Sequence, residues 1–241
     1  MQNDRKKILF TGGNGLLGTE FKLQAPEISY TDVEEFDITN FNMMRSFIEG
    51  SEFKTIIHAA AFTSPPKVDG DPIQAIDINI IGTSNIVKLC NMFGLRLIYL
   101  STDYVFDGKT GNYNEDDSVN PVNKYAVSKL GGECAVRLYD NALIIRTSFG
   151  PNVFPFEKAF VDQWTSRESV RTIASKILKL ADSDIKGIIH IGGERRTVLE
   201  YAKSVSPDKN IGNLSVNDVS FVVPKDTSLD CSKYKSLFND N

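Results

Sequence analysis

The sequence is poor in cysteine, with only Cys90, Cys134 and Cys231. An odd number without paired spacing gives no disulfide framework, so all three read as small buried hydrophobes. That usage fits a reducing compartment, and a cytoplasmic setting is expected. The chain also lacks any apolar run near the ~18 residues of a membrane span, so no membrane partner is expected. It lacks a cationic excess, because 27 Lys and Arg against 31 Asp and Glu leave a net charge of −4. That balance excludes the basic footprint of a nucleic-acid binder. It also repels free anions, so any phosphate site must be built locally. No internal repeat or low-complexity segment is visible. The opening, Met1 to Lys7, is polar and basic and leads straight into a strand rather than into a cleavable apolar region.

What is present suits one large α/β domain, or a core with a small appended lobe. At 241 residues and 41% hydrophobic the chain can bury a substantial core, and the reading calls for no metal. Short, mainly apolar runs recur at Ile8 to Phe10, Thr55 to Ile57, Leu97 to Leu100, Leu143 to Ile145 and Ile188 to Ile191, with a short extended segment at Ile28 to Thr31. Helical patterns separate them at Leu16 to Leu23, after Asn40, at Ile73 to Phe93, about Pro121 to Tyr139 and near Val170 to Leu180. One more helix is expected near Leu199 to Val205. Continuous apolar strands alternating with helices predict a parallel sheet covered on both faces, a Rossmann-type doubly wound fold. The spacing predicts a core over 1–148. A reduced substrate lobe is expected over 149–241, interleaved with the last core elements at roughly 165–192.

Between the first strand and first helix lies Thr11-Gly12-Gly13-Asn14-Gly15-Leu16-Leu17-Gly18. Gly12 permits the tight turn, Gly15 lets backbone approach a pyrophosphate, and Gly18 lets helix and strand pack closely. The helix start then offers free N–H groups to phosphates. A simple strand–helix turn is the competing reading, and the position after the first strand favours a dinucleotide site. Asp32, near the end of the second strand, can accept hydrogen bonds from the adenosine ribose and repel a 2′-phosphate. No Arg or Lys occurs in the glycine turn or from Ile28 to Asp37. Both features favour NAD(H), with NADP(H) left open. Asp37 and Ile38 follow the second strand and are expected near the adenine edge.

Tyr125-Ala126-Val127-Ser128-Lys129 places Tyr and Lys at i and i+4, on one helix face. Of the eight tyrosines only Tyr125 has a lysine four residues later. The competing reading is a solvated surface pair. Upstream, a strand ends in Leu100-Ser101-Thr102, putting a hydroxyl where a reacting carbonyl would lie. Hydride arriving at a carbonyl carbon leaves negative charge on oxygen, and Tyr125 can supply the proton. A neighbouring Lys129 ammonium would favour the phenolate and hold nicotinamide ribose hydroxyls. Thr102 can hydrogen-bond the carbonyl. Asn79 could anchor the lysine through water, or be a polar residue of a helix face.

These pieces resemble the extended short-chain dehydrogenase/reductases, and more narrowly the dTDP-4-dehydrorhamnose reductase group. Matching segments are Thr11 to Gly18, Phe36 to Thr39, His58 to Ala61, Ser101 to Gly108, Pro121 to Glu133, Ile145 to Ser148 and Pro224 to Asp230. The resemblance implies a Thr102, Tyr125 and Lys129 triad acting on a keto-sugar nucleotide. It implies that Ala59, Ala60, Ala61, Thr63 and Ser101 lie along the cofactor, with Asp103, Tyr104 and Phe149 toward the sugar. A homodimer is compatible with it. Such reductases usually carry a helix and a strand between the Arg-Thr-Ser segment and a later Asp-Gln. Here thirteen residues separate Ser148 from Asp162-Gln163. Phe149 stands where a Trp is usual, and the C-terminal end is short. A 4,6-dehydratase would carry Glu after Thr102-Asp103, where this chain has Tyr104. A sugar epimerase stays open. So does a non-catalytic dinucleotide-binding role, because the resemblance extends to the regulatory beta subunit of methionine adenosyltransferase.

Overall fold

A computed structural model of the chain describes residues 2–238; Met1 and residues 239–241 lie outside it. Six strands form one parallel sheet: β1 (Ile8–Thr11), β2 (Ser29–Thr31), β3 (Thr55–His58), β4 (Arg96–Leu100), β5 (Ala142–Thr147) and β6 (Gly187–Ile191). Their spatial order is β2-β1-β3-β4-β5-β6. Successive side chains of a strand point to opposite faces, so each apolar run feeds two cores. Phe10, Ile57, Ile98 and Ile145 pack on one face, under α1 (Leu16–Gln24) and α5 (Val170–Ala181). Leu9, Ile56, Leu97 and Ile144 pack on the other, under α2 (Phe41–Ile48), α3 (Thr83–Phe93) and α4 (Lys124–Val136). Burial on both faces is what makes the runs continuous rather than alternating.

Helix starts follow from their capping residues. Asn40 Oδ1 accepts from Met43 N at 3.1 Å, and Asp71 Oδ1 accepts from Gln74 N at 3.0 Å. The helix carrying Tyr125 begins at Lys124 rather than at Pro121. Asn123 is its cap, with Oδ1 accepting from Ala126 N at 2.8 Å. Such a cap contributes about 1 kcal/mol, which fixes the start there. The helical stretch 72–93 is not uniform. Pro72–Ala75 leads into a π-helical segment, Ile76–Gly82, before α3.

Strand order reverses between β1 and β3, which opens a crevice beyond the carboxyl ends of these strands. Beside it sits a smaller set of elements. Short ladders join Phe149–Gly150 to Glu168–Ser169, Lys158–Phe160 to Gly212–Leu214, and Trp164–Thr165 to Arg196–Thr197. They surround their own core of Phe154, Ala159, Val198, Tyr201 and Ile211, with α6 (Val198–Val205) as its helix. The short helix Gln2–Arg5 had no sequence signal, and neither had two later ones: Pro65–Gly70 and Ser232–Phe238. The second returns to the main sheet, where Tyr234 is buried against the first-face core. Among the described residues no helix is long and apolar enough to cross a membrane.

Candidate active site

The glycine turn is a close backbone approach. Gly12 has φ +78°, and a Cβ there would lie 2.9 Å from both N and Cα of Ala60. A Cβ at Gly18 would meet Gly13 O at 2.5 Å, so α1 could not pack as it does. Gly15 caps α1 without a side-chain hydrogen bond, leaving the first-turn N–H groups open to the crevice. The crevice there measures about 630 Å³ and is lined by Gly12, Gly15, Asp32, Asp37, Ile38 and the run Ala59 to Ala61. Asp32 Oδ2 accepts from Asn14 N at 2.8 Å, and Oδ1 accepts from Val33 N at 2.9 Å. One cation stands close by: Lys22 Nζ donates to Asn14 Oδ1 at 3.2 Å. Lys22 lies eight residues along the chain from Asn14, outside both the glycine turn and the Ile28 to Asp37 stretch.

A second cleft of about 430 Å³ shares Gly12, Gly15, Ala59 and Ala61 with the first. It brings in Leu16, Leu17 and Thr63, then Ser101, Thr102, Asp103 and Tyr104, then Tyr125, Lys129 and Phe149. The two clefts thus make one trough from Asp32 to Phe149. Thr102 Oγ1 donates to Asp103 Oδ1 at 3.1 Å and accepts from Tyr104 N at 3.2 Å. Asp103 Oδ2 accepts from Thr227 Oγ1 at 2.6 Å. Burial raises the Asp103 carboxyl, against the hydrogen bond from Thr227. Tyr104 lies edge-on to Tyr125, with ring centres 6.4 Å apart, and accepts from Gln163 Nε2 at 2.7 Å. Burial also pushes the Tyr125 phenol well above its ordinary value, with a Thr102 hydrogen bond opposing.

Lys129 is 4% exposed, and burial brings its ammonium down to about 7, against the attraction of Glu133. Its Nζ stands 4.3 Å from the centre of the Tyr99 ring. The expected depression of the Tyr125 phenol by Lys129 is therefore not built into the protein alone; desolvation dominates at both groups. Asn79 does not reach Lys129. From the π-helical segment it accepts from Phe62 N at 2.8 Å and donates to Phe62 O at 2.9 Å and Ser128 Oγ at 2.8 Å. It thus ties the loop after β3 to α4. Ser101 donates to Glu133 Oε2 at 2.8 Å, and Arg146 Nη2 bonds Glu133 Oε1 at 2.7 Å. This buried cluster locks α4 onto β4 and β5.

Of the residues singled out from sequence, Asn14, Gly18 and Asn79 do not line the trough; Gly18 and Asn79 are buried, and Asn14 is exposed beside Asp32. Sequence reasoning missed Arg167 and Ser148, which line the second cleft. Ser148 lay inside a matched segment, but Arg167 stands in an irregular stretch without a motif partner. The first cleft also takes in Val33, Phe36 and Gln74.

A doubly wound parallel sheet with Thr102, Tyr125 and Lys129 beside a glycine turn defines an extended short-chain dehydrogenase/reductase. The chain belongs to the RmlD substrate binding domain family, whose model matches residues 6–154. A dTDP-4-dehydrorhamnose reductase of Sinorhizobium fredii is 29% identical, over 96% of this chain and 91% of that protein. Methionine adenosyltransferase 2 subunit beta of Bos taurus is 28% identical, over 96% of this chain and 82% of its own length. That alignment runs over 277 positions against the 241 residues of this chain, so at least 36 positions have no counterpart here. The crystal structure of a hypothetical dTDP-4-dehydrorhamnose reductase from Sulfolobus tokodaii has a TM-score of 0.84 and 31% identity, over 96% of this chain and 94% of that one. The Bacillus anthracis dTDP-4-dehydrorhamnose reductase, solved in complex with NADP, has a TM-score of 0.87 and 26% identity, covering 96% and 92%.

Proposed function

We propose that this chain reduces the keto group of a 4-keto-6-deoxy sugar nucleotide, using a nicotinamide dinucleotide as reductant. The observation that carries the reading is the single trough joining the Gly12 turn to Thr102 and Tyr125. Relatives described as dTDP-4-dehydrorhamnose reductases, one solved with NADP, support it. The residues fit such a cofactor: only glycine suits the Gly12 approach to Ala60, and the uncapped start of α1 offers N–H donors to phosphates.

When bound, the reduced dinucleotide supplies a hydride to the carbonyl carbon. The chain does the rest. Gly12, Gly15 and the first turn of α1 hold the phosphates, with Leu16, Leu17 and Thr63 along the same wall. Asp32 accepts from ribose hydroxyls, while Asp37, Ile38 and Ala59 to Ala61 flank the adenosine. We favour NADH over NADPH, because Asp32 opposes a 2′-phosphate more directly than Lys22, engaged with Asn14, attracts it. Tyr125 gives its phenol proton to the carbonyl oxygen; burial keeps that proton in place until charge develops. Thr102 reaches the same oxygen once its hydroxyl turns from Asp103 Oδ1. Lys129 holds the nicotinamide ribose and, as a cation, steadies the phenolate that remains. Asn79 and Ser101 act through α4, as positioning residues. Asp103, Tyr104 and Phe149 form the sugar wall. A cytoplasmic homodimer is the expected form, checked by sedimentation.

NADH oxidation by a 4-keto-6-deoxy sugar nucleotide tests the reading. A chain that binds NADH but never turns over would instead fit a non-catalytic subunit role, the Bos taurus relative being named as a subunit beta.

A further inference from the structure

We infer that Arg167 is the anchor for the diphosphate of the substrate, an assignment that rests on the sugar-nucleotide reading above. Arg167 lies between the short strands Trp164–Thr165 and Glu168–Ser169 and lines the cleft that holds Thr102 and Tyr125. Its root is fixed from several directions. Its backbone N–H donates to Thr165 Oγ1 at 3.1 Å, and its carbonyl accepts from Arg196 Nη2 at 3.0 Å. Its Nε donates to Ser148 Oγ at 3.3 Å. The two Nη groups bond no other described residue.

The neighbouring arginines behave differently. Arg171 faces Glu20 at 3.6 Å, Arg195 pairs with Asp226 at 2.8 Å, and Arg196 pairs with Glu168 at 3.4 Å. Arg167 forms no ion pair with any described carboxylate. A half-buried guanidinium that served only the fold would find such a partner, since losing water without one is costly. Instead the fork faces a cavity, with Nε already committed and its orientation thereby set.

The cleft offers a substrate no second cation. Apart from Arg167, its only cationic lining residue among the described residues is Lys129, whose Nζ lies over the Tyr99 ring. A nucleoside diphosphate sugar carries its negative charge about one ring width from a 4-keto group. The positive charge of Arg167 is felt at this end of the cleft, where it offsets part of the rise that burial causes at Tyr125, Tyr104 and Asp103. A planar fork of N–H donors matches two phosphate oxygens at once, which a lysine cannot do. On a chain of net charge −4 such a local cation also draws the anion to the right end of the trough.

The experiment is calorimetric titration of the whole protein, loaded with NADH, by dTDP, UDP and thymidine. The wild type should bind a nucleoside diphosphate. Arg167→Met should weaken that binding about 10- to 100-fold, as expected for a lost charge-assisted bidentate contact, and Arg167→Lys should recover part of it. Thymidine binding, NADH affinity and Tm should stay as in the wild type. In turnover the loss should appear in KM, with kcat little changed. Equal diphosphate affinity in wild type and Arg167→Met would overturn the anchor and leave the proposed reaction standing. Binding of NADH without any nucleoside diphosphate would overturn both. Loss of NADH affinity or of Tm in both variants would make Arg167 a structural residue and overturn the anchor.

Discussion

Lys129 Nζ sits 4.3 Å from the centre of the Tyr99 ring, a cation held over an aromatic face at the wall of the active-site trough. The contact keeps the ammonium inside the protein, and burial brings it down to about 7. The lysine therefore changes charge near neutral pH.

Its titration predicts how cofactor binding depends on pH. An anionic dinucleotide favours the protonated lysine, so wild-type NADH affinity should fall as pH rises through about 7. Lys129→Met should bind NADH more weakly and lose that dependence, and its residual turnover should peak at higher pH. Fluorescence titrations from pH 6 to 9 read the effect. Identical pH profiles for the two proteins would leave Lys129 without this role.

Cofactor choice turns on Asp32 and Lys22. Wild type should bind NADH more tightly than NADPH, and Asp32→Ala should narrow the gap by strengthening NADPH. Removing the acid frees Asn14 N–H and leaves Lys22 as a cation beside it, while the Glu35 carboxylate still accepts from the backbone N–H of residue 32. Isothermal titration with both cofactors checks this. Tighter NADPH binding by the wild type would reverse the assignment.

Acid sensitivity should trace to the histidines. His58 is buried with Nδ1 2.8 Å from Thr11 Oγ1 and Nε2 3.1 Å from Thr83 Oγ1. Burial holds it down at about 3, with the charge of Lys129 adding to the effect. His190 is lowered to about 4, again chiefly by burial. Unfolded histidine titrates near 6.5, so between that value and about 3 the unfolded chain binds more protons. The stability that the two neutral histidines contribute should therefore be fully present above pH 6.5 and fall progressively below it. Urea midpoints measured from pH 7.5 to 4 should show a shallower decline in His58→Gln than in wild type. An equal slope in the two would exclude His58 as a source of the decline.

The fold was legible because burial on two faces leaves a mark in the residues themselves. Runs such as Leu97 to Leu100 are apolar throughout, so each announced a strand. The glycine turn was legible because it follows the first run directly, and Tyr125 with Lys129 because only one such spacing exists. Ser232–Phe238 was not legible: one buried ring, Tyr234, is too little pattern for a helix of that length. Nor was the π-helical turn at Asn79, since side-chain spacing does not record a changed backbone bond. Arg167 was hidden for another reason. An arginine in a loop usually faces water, and only the folded chain shows which of four neighbouring arginines lacks a carboxylate.

Proton donation by Tyr125 is the centre of this account, and single-turnover NADH oxidation with a 4-keto-6-deoxy sugar nucleotide tests it most directly. Tyr125→Phe removes one hydroxyl and keeps the ring against Tyr104. Its rate should fall by about 10²- to 10⁴-fold while substrate still binds. Thr102→Val should cost less, and the double variant less than the product of the two losses, because both groups act on one oxygen. A Tyr125→Phe protein that oxidises NADH as fast as wild type would contradict the account.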